Sequence, residues 1–184
     1  MASAAPTPQP GPAAATAAAN GAAGGPRTLG VLVEMRAAVL ERVAGLLRRR
    51  GYPVRELVLG RTEEPHLARL FVVLEEGASS EQVAKNLNKL VDVRRVADLS
   101  TQPTVVRELA LIKVDVTPGT RQEVLLAARV FRARVVDMGE RTLTLEVSGR
   151  PGKVDALYRL LRRYGVRELV RSGPLVLVRG PQST

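Results

Sequence analysis

The sequence predicts an α+β protein made of two tandem ferredoxin-like units, each with its elements in the order βαββαβ. Three observations carry this reading. Short apolar runs bounded by turn residues alternate with stripes of helical period. The whole order occurs twice, on either side of the Pro-containing linker "TQPT" at 101–104. The stretches "LNKLVDVRRVADLS" and "LYRLLRRYGVRELVRSG" also occupy equivalent places in the two copies.

The first unit opens with "RTLGVLVE" (27–34), a short apolar run that reads as a buried strand. Val39, Leu40, Val43, Leu46 and Leu47 then mark the apolar stripe of a helix packed on one side. Arg48, Arg49 and Arg50 fall in its last turn, where cations suit the helix dipole, and Gly51 supplies a left-handed cap. "YPVRELVLG" (52–60) is a strand with Pro53 tolerable at its start. "RTEEPH" (61–66) is a loop, and "LARLFVVLE" (67–75) the next strand. Ser79 or Ser80 caps a helix whose Val83, Leu87 and Leu90 share a face, and "DVRRVADLS" (92–100) closes the unit. In the second unit, "RELALIKVDV" (107–116) is the first strand, and Val124, Leu125, Ala128 and Phe131 mark a helix. The strands "ARVVDMG" (133–139) and "TLTLEVSG" (142–149) pair around "ERT". A stripe of Val154, Leu157, Leu160 and Leu161 follows, then "GVRELVRSG" (165–173) and a short extra strand, "PLVLVRG" (174–180).

Composition narrows the function. The first 26 residues carry no charge and are almost all small or turn-forming, so residues 1–27 read as a disordered tail. The tail has neither the Arg-rich character of a transit peptide nor the apolar run of a signal peptide. No stretch reaches the 18 or so apolar residues of a membrane span, and there is no cysteine, which suits a cytoplasmic chain. The net charge of +10 invites a nucleic acid or an acidic protein partner. The arginines are scattered through every element, however, which fits a compositional bias better than a designed basic patch.

No catalytic constellation emerges. His66 is the single histidine, so no triad or metal cluster can be built around histidines, and it reads as a solvated loop residue. Glu63-Glu64 and Glu75-Glu76 are adjacent pairs that point different ways, and no Gly-rich phosphate loop follows a strand. The topology is shared by RNA-recognition modules, which stack bases on paired aromatics. Here Phe71 has no aromatic partner on the first strand, and core packing explains it better. The residues by themselves therefore describe a non-enzymatic binding chain with no catalytic residue, no metal site and neither a nucleic acid nor a membrane as partner.

The segments "LGVLVE", "RRGY", "TEEPHLARL", "LNKLVDV", "RELALIKV", "FRARVVD", "LTLEVSG" and the terminal "VRSG" together resemble the small regulatory subunit of acetolactate synthase. The resemblance runs from residue 28 to about 180 in order and without large gaps. It implies an ACT domain at 28–102 and a second ferredoxin-like domain at 105–180. The single-length layout is similar to the bacterial form rather than the double-length plant form. It also implies a chain without a catalytic site that dimerises through its ACT domains. Such a chain binds and activates the large catalytic subunit of branched-chain amino acid biosynthesis, and transmits feedback inhibition by valine or a relative. Thiamine diphosphate, Mg and FAD are expected in that large subunit and no cofactor in this chain. The alternative is a free-standing ACT-type amino-acid sensor, or a basic ferredoxin-like binding module, with another partner.

The resemblance places the effector site at Met35, Arg36, Ala37, Ala38, Val39, Leu40, Pro53 and Val54. Helix N-terminal amides would receive the ligand carboxylate, with a family Gly permitting close approach and family Asn side chains holding the zwitterion. Met35, Ala38 and Pro53 depart from that pattern. The Val39 and Leu40 amides remain, and the Ala38 methyl would be strained wherever a positive φ is required. Losing one hydrogen bond to a charged group costs about 1.5–3 kcal/mol, or about tenfold to a hundredfold in affinity. Valine sensing is therefore expected to be weakened, or replaced by another effector whose carboxylate Arg36 takes. Glu63, Glu64 and Arg69, from "RTEEPHLARL", are the expected contact with the catalytic subunit.

Overall fold

The computed structural model of the chain describes residues 26–36 and 38–182. The expected tail lies outside the described residues except at its last two positions, and Arg27 already opens the first strand. The elements run β1 (Arg27–Glu34), α1 (Val39–Arg49), β2 (Val54–Arg61), β3 (Leu67–Leu74), α2 (Ser80–Leu87), β4 (Val93–Asp98), β5 (Thr104–Asp115), α3 (Arg121–Val130), β6 (Arg134–Met138), β7 (Thr142–Gly149), α4 (Pro151–Leu161), a 3-10 turn (Arg162–Tyr164), β8 (Val166–Arg171) and β9 (Leu175–Val178). The chain divides into two compact units. Among the described residues, one holds those up to Val105 with Leu177–Gln182, and the other holds Val106–Val176.

In the first unit the sheet order is β2-β3-β1-β4 with all neighbours antiparallel. The two most apolar runs, β1 and β3, are the central strands. Alternate side chains Leu29, Val31 and Val33 lie on one face, and β3 adds Ala68, Leu70, Val72 and Leu74 to it. Val39, Val43 and Leu47 of α1 and Val83 and Leu87 of α2 cover that face and complete one core. Phe71 is 4% exposed, so it has no free ring on which a base could stack.

The ends of α1 and α2 are set by local chemistry. Gly51 sits at φ 63° after α1 and its amide donates to Arg48 O at 3.0 Å, while Tyr52 N–H returns to Leu47 O at 3.1 Å. A methyl at Gly51 would meet nothing within 4 Å. Gly51→Ala is thus expected to cost only the left-handed backbone penalty, about 1–2 kcal/mol, read as a lower urea midpoint with an unchanged m-value. Of the two candidate caps of α2, Ser79 serves, its Oγ accepting from Gln82 N–H at 3.4 Å. Ser80 is buried and donates to Asp98 at 2.6 Å, which ties the helix start to the end of β4.

The second unit repeats the plan as β6-β7-β5-β8, with β9 also paired to β5. Ala110, Ile112 and Val114 of β5 and Leu143, Leu145 and Val147 of β7 face Val124, Ala127 and Ala128 of α3 and Val154, Leu157 and Leu161 of α4. An ion pair to a buried carboxylate is built into this unit. Glu108, 3% exposed, accepts two hydrogen bonds of 2.6 Å from Arg171 Nε and Nη2, and Arg171 Nη1 reaches Asp155 at 2.6 Å. Ser172 closes the same corner: Leu109 N–H donates to its Oγ at 3.0 Å, and its own N–H donates to Leu109 O at 2.9 Å. The bonds to Glu108 hold the Arg171 guanidinium protonated well beyond its ordinary range, against the opposing effect of burial.

Candidate functional site

The turn between β1 and α1 is where a ligand carboxylate was expected, and the amides of Glu34, Met35, Arg36 and Val39 are already engaged. Glu34 N–H donates to Asp92 O at 2.8 Å, and Met35 N–H donates to His66 O at 2.7 Å. Arg36 N–H returns to Glu34 O at 2.9 Å, and Val39 N–H donates to Arg36 O at 3.1 Å. The Val39 amide, expected to face a ligand, is thus spent on closing the turn, and the Val39 side chain is buried in the core. Ala37 lies outside the described residues.

Ala38 occupies the cap position of α1 at φ −82° and ψ −8°, with no side-chain hydrogen bond because alanine has none to make. Its backbone is ordinary right-handed helix, so the strain anticipated for its methyl is absent. Met35 is 51% exposed and Leu40 45%, apolar surface at the mouth of the turn. Pro53 uses its carbonyl to accept from Glu75 N–H at 2.9 Å, and Val54 opens β2 and packs against the core.

Charge is arranged around one carboxylate. Glu34, its side chain 14% exposed, receives Arg36 at 2.6 Å and also Arg94. Beside it Arg42 of α1 binds the buried Asp92 at 2.5 Å. Arg36, expected as a rival anchor for an effector carboxylate, is therefore occupied by a carboxylate of its own chain. The β1–α1 turn and the start of β4 form one ionic cluster.

The β2–β3 hairpin is the other expected surface. Thr62 Oγ1 accepts from Glu64 N–H at 3.2 Å and reaches the Glu64 and Leu67 carbonyls at 3.0 and 3.2 Å, while Leu67 N–H donates to Glu64 O at 3.0 Å. This bracing presents Glu63 and Glu64 to solvent. His66 is exposed, with Nε2 3.4 Å from Glu64 Oε2. Arg69 is not part of the tip. It lies within β3 opposite Leu32 and Gly60, half-buried, with its Nε lacking a hydrogen-bond partner among the described residues. The hairpin and the β1–α1 turn nonetheless meet, through the Met35 amide and the His66 carbonyl. Sequence reading missed that meeting, because a main-chain bond leaves no side-chain signature.

Among the described residues no group of three or more His, Cys, Asp or Glu could hold a metal ion, and no helix is long and apolar enough to cross a membrane.

Two family models match the chain. Residues 29–95 match the family model of the acetolactate synthase small subunit-like ACT domain, and residues 107–180 match that of the small subunit of acetolactate synthase. The chain is 42% identical over 156 residues to the acetolactate synthase small subunit of Mycolicibacterium smegmatis, covering 84% of this chain and 92% of that one. It is 44% identical over 154 residues to a probable acetolactate synthase small subunit of Archaeoglobus fulgidus, covering 83% and 96%. The crystal structure of the acetolactate synthase small subunit from Thermotoga maritima is similar at 30% identity and a TM-score of 0.77, over 85% of this chain and 99% of the other.

Proposed function

Because this chain belongs to the acetolactate synthase small-subunit family, whose members are the non-catalytic regulatory partners of the large catalytic subunit, we propose that it activates that subunit while responding only weakly to valine. Thiamine diphosphate, Mg and FAD then belong to the large subunit, and this chain supplies contact surface alone. The observation that carries the weakened response is the set Met35, Ala38 and Pro53. None of them has a polar side chain. Arg36, the cation beside Met35, is held by Glu34, and the Val39 amide by Arg36 O. A zwitterion arriving here meets a helix start with fewer free donors than the family pattern provides.

A titration of the reconstituted two-subunit enzyme tests this. Acetolactate formation should stay near its uninhibited rate at micromolar valine, and tight valine inhibition would remove the proposal. A changed effector is the second reading, and Arg94 favours it. Since Arg94 also binds Glu34, Arg36 could turn to a ligand without leaving that carboxylate bare. The ACT–ACT homodimer belongs to the same proposal, supported by β2 and β4 being edge strands of the first sheet.

The acidic hairpin is the proposed contact with the catalytic subunit. Glu63 and Glu64 form an exposed, braced acidic tip on a chain of net charge +10, which suits a basic patch on the partner. Replacing Glu63, Glu64 and Arg69 together should abolish activation with little change in the far-ultraviolet circular dichroism. Because Arg69 is half-buried, the pair Glu63→Gln and Glu64→Gln tests the tip alone, and full activation by that pair would remove the hairpin from the contact.

A further inference from the structure

We propose that Glu34 is a positioning residue that fastens the β1–α1 turn to the β2–β3 hairpin, so that whatever displaces the turn displaces the hairpin. The proposal rests on the reading of the hairpin as the catalytic-subunit contact only for its functional consequence. The linkage itself stands on geometry.

Glu34 is the last residue of β1 and sits at the meeting point of three chain segments. Its amide donates to Asp92 O at 2.8 Å, and its carboxylate, 14% exposed, holds Arg36 on the turn and Arg94 at the start of β4. The next amide, Met35, donates to His66 O at 2.7 Å, and Glu34 itself pairs with Leu67 in the β1–β3 ladder. The hairpin is stiff within itself, because Thr62 bridges Glu64 and Leu67. It therefore moves as one piece rather than bending between residues 62 and 67, held where Arg61 pairs with Ala68, where Leu67 pairs with Glu34 and at the His66 carbonyl. Removing the charge of Glu34 frees Arg36 and Arg94 and lets the turn move out of line, and the Met35–His66 bond opens with it. The two arginines are mostly exposed, so salt should loosen the same joint in the unaltered protein.

Three methionines make the test clean. With selective nitrogen-15 methionine labelling of the full chain, Met35 reports the joint and Met138 on β6 reports the other unit. Glu34→Gln should raise hydrogen exchange at the Met35 amide by about tenfold, the change expected for loss of one supporting interaction, and leave Met138 unchanged. Arg94→Gln and added sodium chloride should move Met35 in the same direction by less. Unchanged Met35 exchange in Glu34→Gln would overturn the proposal. So would equal acceleration at Met138, because that is general loosening. Faster Met35 exchange with weakened activation of the catalytic subunit supports both the linkage and the hairpin contact. Faster exchange with full activation supports the linkage and removes the hairpin from the contact.

Discussion

Arg171→Ala is expected to lower the stability of the second unit by about 3–5 kcal/mol, the cost of stranding a buried carboxylate. Glu108 is 3% exposed and both of its oxygens are satisfied by the Arg171 fork. Removing the fork leaves that charge without solvent or partner. The pair itself does not have to be strongly stabilising, since burying two ions offsets much of their attraction. Glu108→Leu combined with Arg171→Met should therefore lose far less than Arg171→Ala alone. Urea unfolding of the two variants and the unaltered chain, followed by circular dichroism, decides it. Equal losses in the single and double variants would mean that packing, not the uncompensated charge, governs this corner. The pH sign is also fixed. A guanidinium whose ionisation is raised in the folded state contributes fully below its unfolded value and is lost only as pH climbs past the folded one. Arg171 therefore confers no alkaline weakness between pH 6 and 10.

Met35→Asn, Ala38→Gly and Pro53→Asn introduced together should make the reconstituted enzyme inhibited by valine at concentrations at least about a hundredfold lower than the unaltered chain requires. Each restored hydrogen bond to a charged group is worth about 1.5–3 kcal/mol, and two of the three changes return one. The third removes a methyl near the main chain without a conformational gain, because Ala38 already has negative φ. Its share should be the smallest. Inhibition curves of the triple variant and of each single variant make the comparison. If the triple variant stays as insensitive as the parent, these positions do not line the effector site and the assignment by resemblance fails.

The fold was legible wherever period and punctuation agreed. β1 was read at 27–34 and spans Arg27–Glu34, and the Gly51 cap was read from Arg48, Arg49, Arg50 and Gly51 alone. Boundaries slipped where a backbone amide had a competing use. Tyr52 was placed in β2, but its N–H turns back to Leu47 O and Pro53 has none to give, so the strand starts at Val54. The first strand of the second unit was started at 107 and begins at Thr104, within the expected linker, where Arg179 N–H donates to Pro103 O just beyond β9. The sites were less legible than the fold. Glu34, Arg36 and Arg94 are a cluster only because β1 and β4 are neighbours, and in the sequence Arg94 is one of many scattered arginines. In the sequence "RELALIKV" and "VRSG" are separate motifs. Their common reason, the Glu108–Arg171 fork, needed the β5–β8 register that sets Ala110 against Arg171.

Both units share one further property of order. The strand synthesised first, β1 or β5, lies inside the sheet, and its second neighbour, β4 or β8, is the last core strand of the unit to be made. Some 60 residues must be organised before that inner strand is paired on both sides. Loop closure over such spans is slow, so refolding of each unit should be governed by the arrival of its final strand, on millisecond or longer times. During that wait the apolar inner strand shows one bare row of amides and carbonyls. That row is where misassembly between nascent copies would begin.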